Sequence, residues 1–440
     1  MNLEIDALNR NNTWIITELS PDRKPVGSKW VYRIKYKSNG EIERYNARLV
    51  ARVLVKRKIY MTLPKGYYTD SENENKVCKL TKSLYGLKQA PRQWNAKLNA
   101  ALLEHGFVQS KSDYSLYTKS VDGLFIGLLV YVDDIVVTGN NFAEIEKFKS
   151  FLKTKFLIKD LGLLKYFLGI EVLNCNNGVC LSQRKYYLEL LNDYGLLGCK
   201  PFGTPIESNI CVNCESSEKD KFLTNITEYQ KLVGRLIYLT LTRPDISFVV
   251  HILSQYMHAP LQSHMNLAFR TLRYLKGSPG KGIQLVKGNE TSLYAYSDSD
   301  WGKCKLNRKS VTGYLIFFCN SLVSWKSKKQ STVSRSSAEA EYRALASTTC
   351  EIIWIKNLLL DFNIKVNLPV QLFCDNSSAI QISHNPVFHE KTKHFDIDLH
   401  YVRDKQSVGG LSVAVMDKGF VAVADKVPVN FKSASQGVTR

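Results

Sequence analysis

Residues 123–139 read GLFIGLLVYVDDIVVTG, two apolar runs that close on the adjacent carboxylates Asp133 and Asp134. Runs of this length, rich in Val, Ile and Leu, form strands, and the acid pair between them marks a tight turn. The stretch therefore predicts a buried β-hairpin with two carboxylates at its apex. Neighbouring aspartates at such an apex repel each other and lose hydration, so a bound cation explains them better than packing does, and an all-oxygen donor set suits Mg2+. A solvated turn tip is the competing explanation of any Asp-Asp pair. The apolar flanks argue against it, because they hold the carboxylates firmly enough to position a metal ion.

Toward the N-terminus, residues 29–50 (KWVYRIKYKSNGEIERYNARLV) alternate at period two around Ser38-Asn39-Gly40, which predicts a hairpin. Residues 83–107 change to helical spacing, with Leu98, Leu102 and Leu103 expected on one face and Gly106 as a stop signal. Toward the C-terminus, residues 143–157 are again helical, and 166–181 (YFLGIEVLNCNNGVCL) predict a hairpin around Asn176-Asn177-Gly178. Helices are expected to dominate to about Lys276, interrupted by a polar stretch, 206–224, that reads as a linker or exposed loop.

A second set of acids follows. Residues 292–301 (SLYAYSDSDW) form an apolar strand ending in Asp298 and Asp300. Two further strands, 312–318 and 321–325, come at hairpin distance, and then SSAEAEYRAL (336–345) opens a long helix to Asp361 with serines suited to capping it. After it, VQLFCDNS (370–377) ends another strand in Asp375. Acids at successive strand ends and at a helix start can converge on one metal site. Glu339 and Glu341 stand two apart on a helix, roughly 200° around its axis, so only one of them can line such a site. Any one of these acids alone reads as a solvated or capping residue, and it is their order that argues otherwise.

Composition bounds the partners. At 440 residues the chain is long enough for two or three domains, and its 44% hydrophobic and 23% charged residues fit globular folding. No apolar run approaches the length of a membrane span, and the first twenty residues lack the pattern of a signal or transit peptide, so a cytoplasmic or nuclear setting is expected. The ten cysteines are scattered as expected of reduced thiols, with one CxxC at Cys211 and Cys214. A formal charge of +20 exceeds what folding tolerates without a polyanion to neutralise it, which points to nucleic acid. Residues 21–60 carry twelve Lys or Arg against three acids, interleaved with Trp30, Tyr32, Tyr36 and Tyr45. That mixture suits phosphate contact with base stacking, or equally a solvated hairpin with charged faces.

Taken in order, these motifs resemble copia-type retrotransposon Pol polyproteins over roughly residues 12–405. YVDD (131–134) is similar to the reverse transcriptase signature, and SLYGLKQAPRQW (83–94) and FLGIE (167–171) are similar to the stretches that flank it. KLVGRLIYL (231–239), TRPD (242–245) and LRYLKG (272–277) resemble the connection to RNase H. SDSDW (297–301), SSAEAEYRAL (336–345), CDNSSAI (374–380) and KTKHFDI (391–397) resemble RNase H itself. The resemblance implies an α+β and α/β multidomain chain: a reverse transcriptase palm and fingers over 1–205, a helical thumb or connection over 206–290, an RNase H-like mixed sheet with helices over 291–405, and a divergent tail over 406–440.

It further implies two Mg2+ ions per active site, about 4 Å apart. Asp133 and Asp134 would be ligands in the polymerase, with Gly86, Gln89 and Arg92 contacting template or nucleotide. Asp298, Glu341, Asp375 and Asp396 would be ligands in the RNase H, with Asp398 as the alternative fourth acid. The implied partners are template-primer nucleic acid and an RNA–DNA hybrid, and the implied activities are a nucleotidyltransferase and a hydrolase.

The sequence departs from the family pattern after NARLVAR (46–52). The family continues there through a long segment that holds a third catalytic aspartate, whereas here VLVKRK (53–58) runs directly into IYMTLPKGY (59–67). Asp70, Glu72 and Glu74 lie in a polar stretch without strand character and are not expected to substitute. The expectation is therefore a truncated polymerase without activity, and a hybrid-cutting ribonuclease attached to it. A non-catalytic nucleic-acid-binding remnant is the alternative. A zinc-binding interaction module built on Cys211 and Cys214 is a third and weaker one, because no second ligand pair stands near them; His389, His394 and His400 likewise lack a cysteine pair at ligand spacing.

Overall fold

Residues 116–139 form an antiparallel meander whose last hairpin carries Asp133 and Asp134 at its turn, as the two apolar runs around the acid pair predict. The computed structural model describes the chain apart from residues 22, 37–40, 52–59, 68–75, 88–89, 208–211, 213–214, 289, 386–395 and 416–440. The turn at Ser38-Asn39-Gly40, the junction 53–58 and the acids Asp70, Glu72 and Glu74 lie outside the described residues. The chain folds as two units, Met1–Ile158 and Lys159–Arg440.

The first unit comprises α1 (Asn2–Arg10), β1 (Trp14–Glu18), β2 (Ser28–Tyr36), β3 (Ile42–Ala51), β4 (Tyr60–Thr62), β5 (Lys76–Leu80), α2 (Ala90–Glu104), β6 (Val108–Gln109), β7 (Leu116–Val121), β8 (Leu124–Tyr131), β9 (Asp134–Gly139) and α3 (Phe142–Lys155). The strands make three sheets, in the orders β1-β5-β4, β2-β3 and β6-β7-β8-β9. Helices α2 and α3 cover the last of these through Leu98, Leu102, Phe148 and Leu152, which meet Tyr117, Ile126 and Leu128. Each such apolar side chain contributes about 1.5–3 kcal/mol when fully buried.

The two-stranded ribbon β2-β3 is two-faced. Its register puts Tyr32, Ile34 and Tyr45 on one side and Arg33, Arg44 and Arg48 on the other, and Tyr32 and Tyr45 are 66% and 76% exposed. Spacing alone predicts a helix from residue 83, but α2 begins at Ala90. Gly86 is the physical reason: it sits at φ +92, and a Cβ there would stand 2.5 Å from the Ala51 carbonyl oxygen. The Tyr85 carbonyl accepts from the Ala51 N–H at 2.9 Å, so this stretch is docked against β3 and cannot coil. Leu103, expected on the buried face, is exposed, and Ala101 takes its place. Leu103 lies five residues from Leu98, about 140° around the helix.

The second unit comprises β10 (Tyr166–Phe167), β11 (Ile170–Cys175), β12 (Gly178–Ser182), α4 (Arg184–Asp193), α5 (Ile226–Leu239), a 3-10 turn (Pro244–Ile246), α6 (Ser247–Ser254), α7 (Gln262–Lys276), β13 (Ile283–Val286), β14 (Leu293–Asp300), β15 (Val311–Phe318), β16 (Ser321–Lys329), α8 (Ser337–Asp361), β17 (Val370–Cys374), α9 (Ser377–His384), α10 (Asp396–Ser407) and β18 (Leu411–Val415). The hairpin β11-β12 closes with Cys175 opposite Gly178, so Asn176 and Asn177 form its loop as predicted.

The helices α4 to α7 share one apolar core. Arg243 and Asp245 stand at its edge as a buried ion pair at 2.6 Å, with Tyr274 and Ser278 supplying further hydrogen bonds. The polar stretch expected as a linker is docked where it is described: the Leu223 N–H donates to the Pro260 carbonyl, and Asp220, buried, accepts from the Ser263 N–H at α7.

The remaining strands form a mixed five-stranded sheet in the order β16-β15-β14-β17-β18, with β14, β15 and β16 antiparallel and β17 and β18 parallel to β14. Helices α8, α9 and α10 pack on it around Tyr342, Leu345, Leu399 and Val402. The sheet β10-β11-β12-β13 meets it through Ile283, Leu315, Phe317 and Leu322. Residues 411–415, read from sequence as the start of a divergent tail, form the fifth strand beside β17. No helix among the described residues is long and apolar enough to cross a membrane.

Candidate active site

Strand β14 occupies the middle of the five-stranded sheet and buries Leu293, Ala295, Ser297 and Ser299 at alternate positions, which leaves Asp298 and Asp300 on the intervening ones. Parallel pairing aligns Tyr296 with Phe373, so Asp298 and Asp375, each two residues further on, emerge at the same end of the sheet. Helix α8 supplies the third carboxylate. Ser336 caps it by accepting from the Glu339 N–H at 3.2 Å, and one turn later Glu341, buried, accepts from the Ser299 N–H at 3.0 Å. Cys374 packs between these groups, its Sγ 3.8 Å from Glu341 Oε2 and accepting from the Asn376 N–H at 3.5 Å.

Burial and crowding of like charge dominate the electrostatics. Burial, followed by the charges of Asp375 and Asp300, pushes Asp298 up to about 7. Burial, followed by the charges of Asp298 and Asp375, pushes Glu341 up to about 9. Asp375 and Asp300 are also raised by burial, the latter opposed by Lys303. Carboxylates held together against their own repulsion fit a hard divalent cation, which would supply the missing positive charge and accept oxygen donors. Glu341, Cys374 and Asp375 each offer a donor atom within 4.8 Å of the others.

A stability prediction follows with a definite sign. Both raised groups keep their protons in the native state between their ordinary values, 3.8 and 4.5, and about 7 and 9, where the unfolded chain has lost them. Metal-free protein is therefore expected to be most favoured at the acid end and to lose about 4 kcal/mol or more as pH rises through that window. Urea denaturation in EDTA, compared with Glu341→Gln, measures it, and identical slopes for the two proteins would contradict it.

The other acids are placed differently. Glu339, also buried, turns away to accept from the Arg335 N–H at 2.8 Å and to pair with Arg343 at 3.0 Å. On α10, Asp396 lies 3.7 Å from His400, and Asp398 lies 3.6 Å from Arg343. Burial raises Asp398 against the pull of Arg343. Neither α10 acid contributes to the shifts of Asp298 or Glu341.

Sequence reasoning did not single out Asp300, although its period-two spacing from Asp298 was available. Nor did it find Cys374 or Gln330. The Gln330 amide donates to Ala340 O at 2.9 Å and Thr312 Oγ1 at 3.1 Å, tying α8 to the sheet beside the acids. No sequence signal marks Gln330, because its partners are distant in the chain.

In the first unit, Asp133 and Asp134 are exposed at the turn between β8 and β9. Val132 there adopts φ +51, unusual for a β-branched residue, and its carbonyl accepts from Trp94 Nε1 of α2 at 2.9 Å. Among the described residues, no third donor joins this pair into a metal-binding group. Gly86 has the packing role given above, and Arg92 is exposed in the first turn of α2. Gln89, Cys211, Cys214, His389 and His394 lie outside the described residues.

A family described as reverse transcriptase (RNA-dependent DNA polymerase) matches residues 53–208. The Pol polyprotein of transposon RE1 of Arabidopsis thaliana is 40% identical over 462 positions, covering 94% of this chain and 31% of its own. A putative transposon Ty5-1 protein of Saccharomyces cerevisiae is 32% identical, over 67% of this chain and 95% of its own. The chain spans about a third of the length of the Pol polyproteins it matches. The alignment with the RE1 protein is about 50 positions longer than the stretch of this chain that it covers. Among solved structures, LC11-RNase H1 isolated from compost matches over 92% of its chain and 31% of this one, at 16% identity and a TM-score of 0.24.

Proposed function

This chain belongs to the copia-type retrotransposon Pol polyprotein family, and from that premise we propose that it cleaves the RNA strand of an RNA–DNA hybrid and does not polymerise DNA. One observation carries the first half: Asp298, Glu341 and Asp375, supplied by three separate elements, meet at one end of a mixed sheet, where the charge of Asp375 raises the proton affinity of Asp298 and the charges of both raise that of Glu341. Mg2+ bound there would activate a water for in-line attack on phosphorus and neutralise the developing charge.

The residues of the chain set the geometry. The Ser299 N–H holds one Glu341 oxygen and leaves the other facing Asp375 and Cys374. Gln330 fixes α8 against β15, so the acid on the helix keeps its distance from those on the strands. Trp301, half exposed and anchored by its Nε1 to Ser334 O at 3.0 Å, stands one residue beyond Asp300, followed by Lys303, Lys305, Arg308 and Lys309. An aromatic face with cations beside the acids suits a sugar-phosphate backbone. Asp396, or Asp398 in its place, is the fourth acid of this proposal.

The second half rests on what the first unit lacks. Two carboxylates at the 131–134 turn are one short of the set the polymerase uses. The surplus of aligned positions supports a segment missing from this chain, which we put at residues 53–58, where the third would stand. β9 ends its sheet among the described residues, which leaves a place for one more strand. The corresponding division is a truncated polymerase over 1–205, a connection over 206–290 and an RNase H portion from 291 that β18 carries past 405 to Val415.

Primer extension with Mg2+ and all four deoxynucleotides is expected to give no product above that of an Asp133→Asn control. Extension that depends on Asp133 would overturn this half of the proposal, while a protein that binds hybrid tightly and cuts nothing would make the chain a binding remnant.

A further inference from the structure

We propose that Glu341, Cys374 and Asp375 form a thiolate-bearing site for a soft divalent cation, Zn2+ or Cd2+, and that its occupation blocks the Mg2+-dependent reaction of the same carboxylates. The second clause rests on the function proposed above; the first does not.

A site for Mg2+ needs oxygen ligands only, and a sulfur among them is a liability, because softer cations of the same charge prefer it. Here the sulfur is not peripheral. Cys374 is fully buried, its Sγ lies 3.8 Å from Glu341 Oε2, and the donor atoms of Glu341, Cys374 and Asp375 all lie within 4.8 Å of one another. Zinc bonds of about 2.3 Å to sulfur and about 2.0–2.2 Å to carboxylate oxygen set donors about 3.5 Å apart around a tetrahedron. The three atoms therefore need to close up by at most about 1.3 Å to share one ion.

Two of the ligands come from consecutive residues at the end of β17 and the third from α8, so the site is built from rigid elements. Asp298 or a water completes the coordination. As the metal bonds form, the Cys374 thiol proton passes to bulk water, and below about pH 9 the proton that Glu341 carries leaves with it.

Cadmium binding is read directly from the thiolate-to-metal charge-transfer absorption, independently of any cleavage. The full chain carrying Cys175→Ser, Cys180→Ser, Cys211→Ser, Cys214→Ser and Cys350→Ser, which removes the CxxC, the exposed thiols of Cys175 and Cys350 and the half-buried one of Cys180, is titrated with Cd2+ and compared with the same chain carrying Cys374→Ser or Glu341→Gln in addition. The expected result is a saturable band with one equivalent of Cd2+ that Cys374→Ser abolishes and Glu341→Gln weakens at least tenfold in affinity, both variants retaining the parent circular dichroism. In parallel, Zn2+ at concentrations far below that of Mg2+ is expected to inhibit hybrid cleavage by the parent and not by Cys374→Ser. A band unchanged by Cys374→Ser, or cleavage equally sensitive to Zn2+ in both proteins, would overturn the inference. Binding through Cys374 in a protein that never cleaves hybrid would leave the metal site standing and remove the proposed function.

Discussion

Asp298→Asn is expected to lower hybrid cleavage by about 10^3-fold, on the order of 4 kcal/mol of transition-state stabilisation, and at the same time to stabilise the metal-free fold at pH 8. The two effects have one cause. Asp298 is pushed up to about 7 by burial and by the charges of Asp375 and Asp300, so at pH 8 its ionised form is held at a cost that only a cation offsets. An amide keeps the shape and removes that cost, and the gain is about 4 kcal/mol in EDTA. Adding Mg2+ should reverse the ranking, because the parent then gains more from the ion than the variant does. Thermal melts with and without Mg2+, run beside the cleavage assay, check it. A variant that is inactive and also less stable without metal would show Asp298 to be a structural residue.

Asp245→Ala is expected to destabilise the second unit by about 3–5 kcal/mol, the largest loss of stability of any single change considered. Its carboxylate receives Arg243 Nε at 2.9 Å, Arg243 Nη2 at 2.6 Å and the Tyr274 hydroxyl at 2.8 Å, and both charged side chains are almost wholly buried. Truncation would leave the guanidinium with the Ser278 backbone and hydroxyl and no counter-charge, inside the helical core that α4 to α7 build. Asp245→Asn, which keeps an acceptor, should cost clearly less. Urea denaturation separates the two, and cleavage per folded molecule should stay unchanged in both, because neither touches the acids at the end of β14. A cost under about 1 kcal/mol for Asp245→Ala would mean that the pair is solvated in solution.

Local pattern made much of this legible in the sequence. The Asp133 hairpin, the Asn176-Asn177 loop and the strand 370–374 follow from period-two alternation bounded by turn residues, and α8 follows from its Ser336 cap and apolar periodicity. What escaped depends on contacts between distant residues. The start of α2 is fixed by the docking of Tyr85 and Gly86 on β3, which propensity cannot foresee. Strand β18 has its partner, β17, some forty residues earlier in the chain, and although Leu411 and Val413 alternate with Ser412 and Ala414, five residues are too few to stand out. At the site, the order of acids along the chain predicted Asp298, Glu341 and Asp375 as neighbours. The same order carried no information about Cys374, whose role comes from facing Glu341 on another element. For α10 it left Asp396 and Asp398 undecided, and their nearest charged partners here are His400 and Arg343.

The most direct measurement of the central claim is to incubate the folded chain and Mg2+ with an RNA–DNA hybrid labelled on the RNA strand, beside the Asp298→Asn protein. The account predicts RNA cleavage by the parent, none above background by the variant, and none in the absence of the metal. Hybrid left intact by a parent protein whose circular dichroism and melting show it to be folded would contradict it.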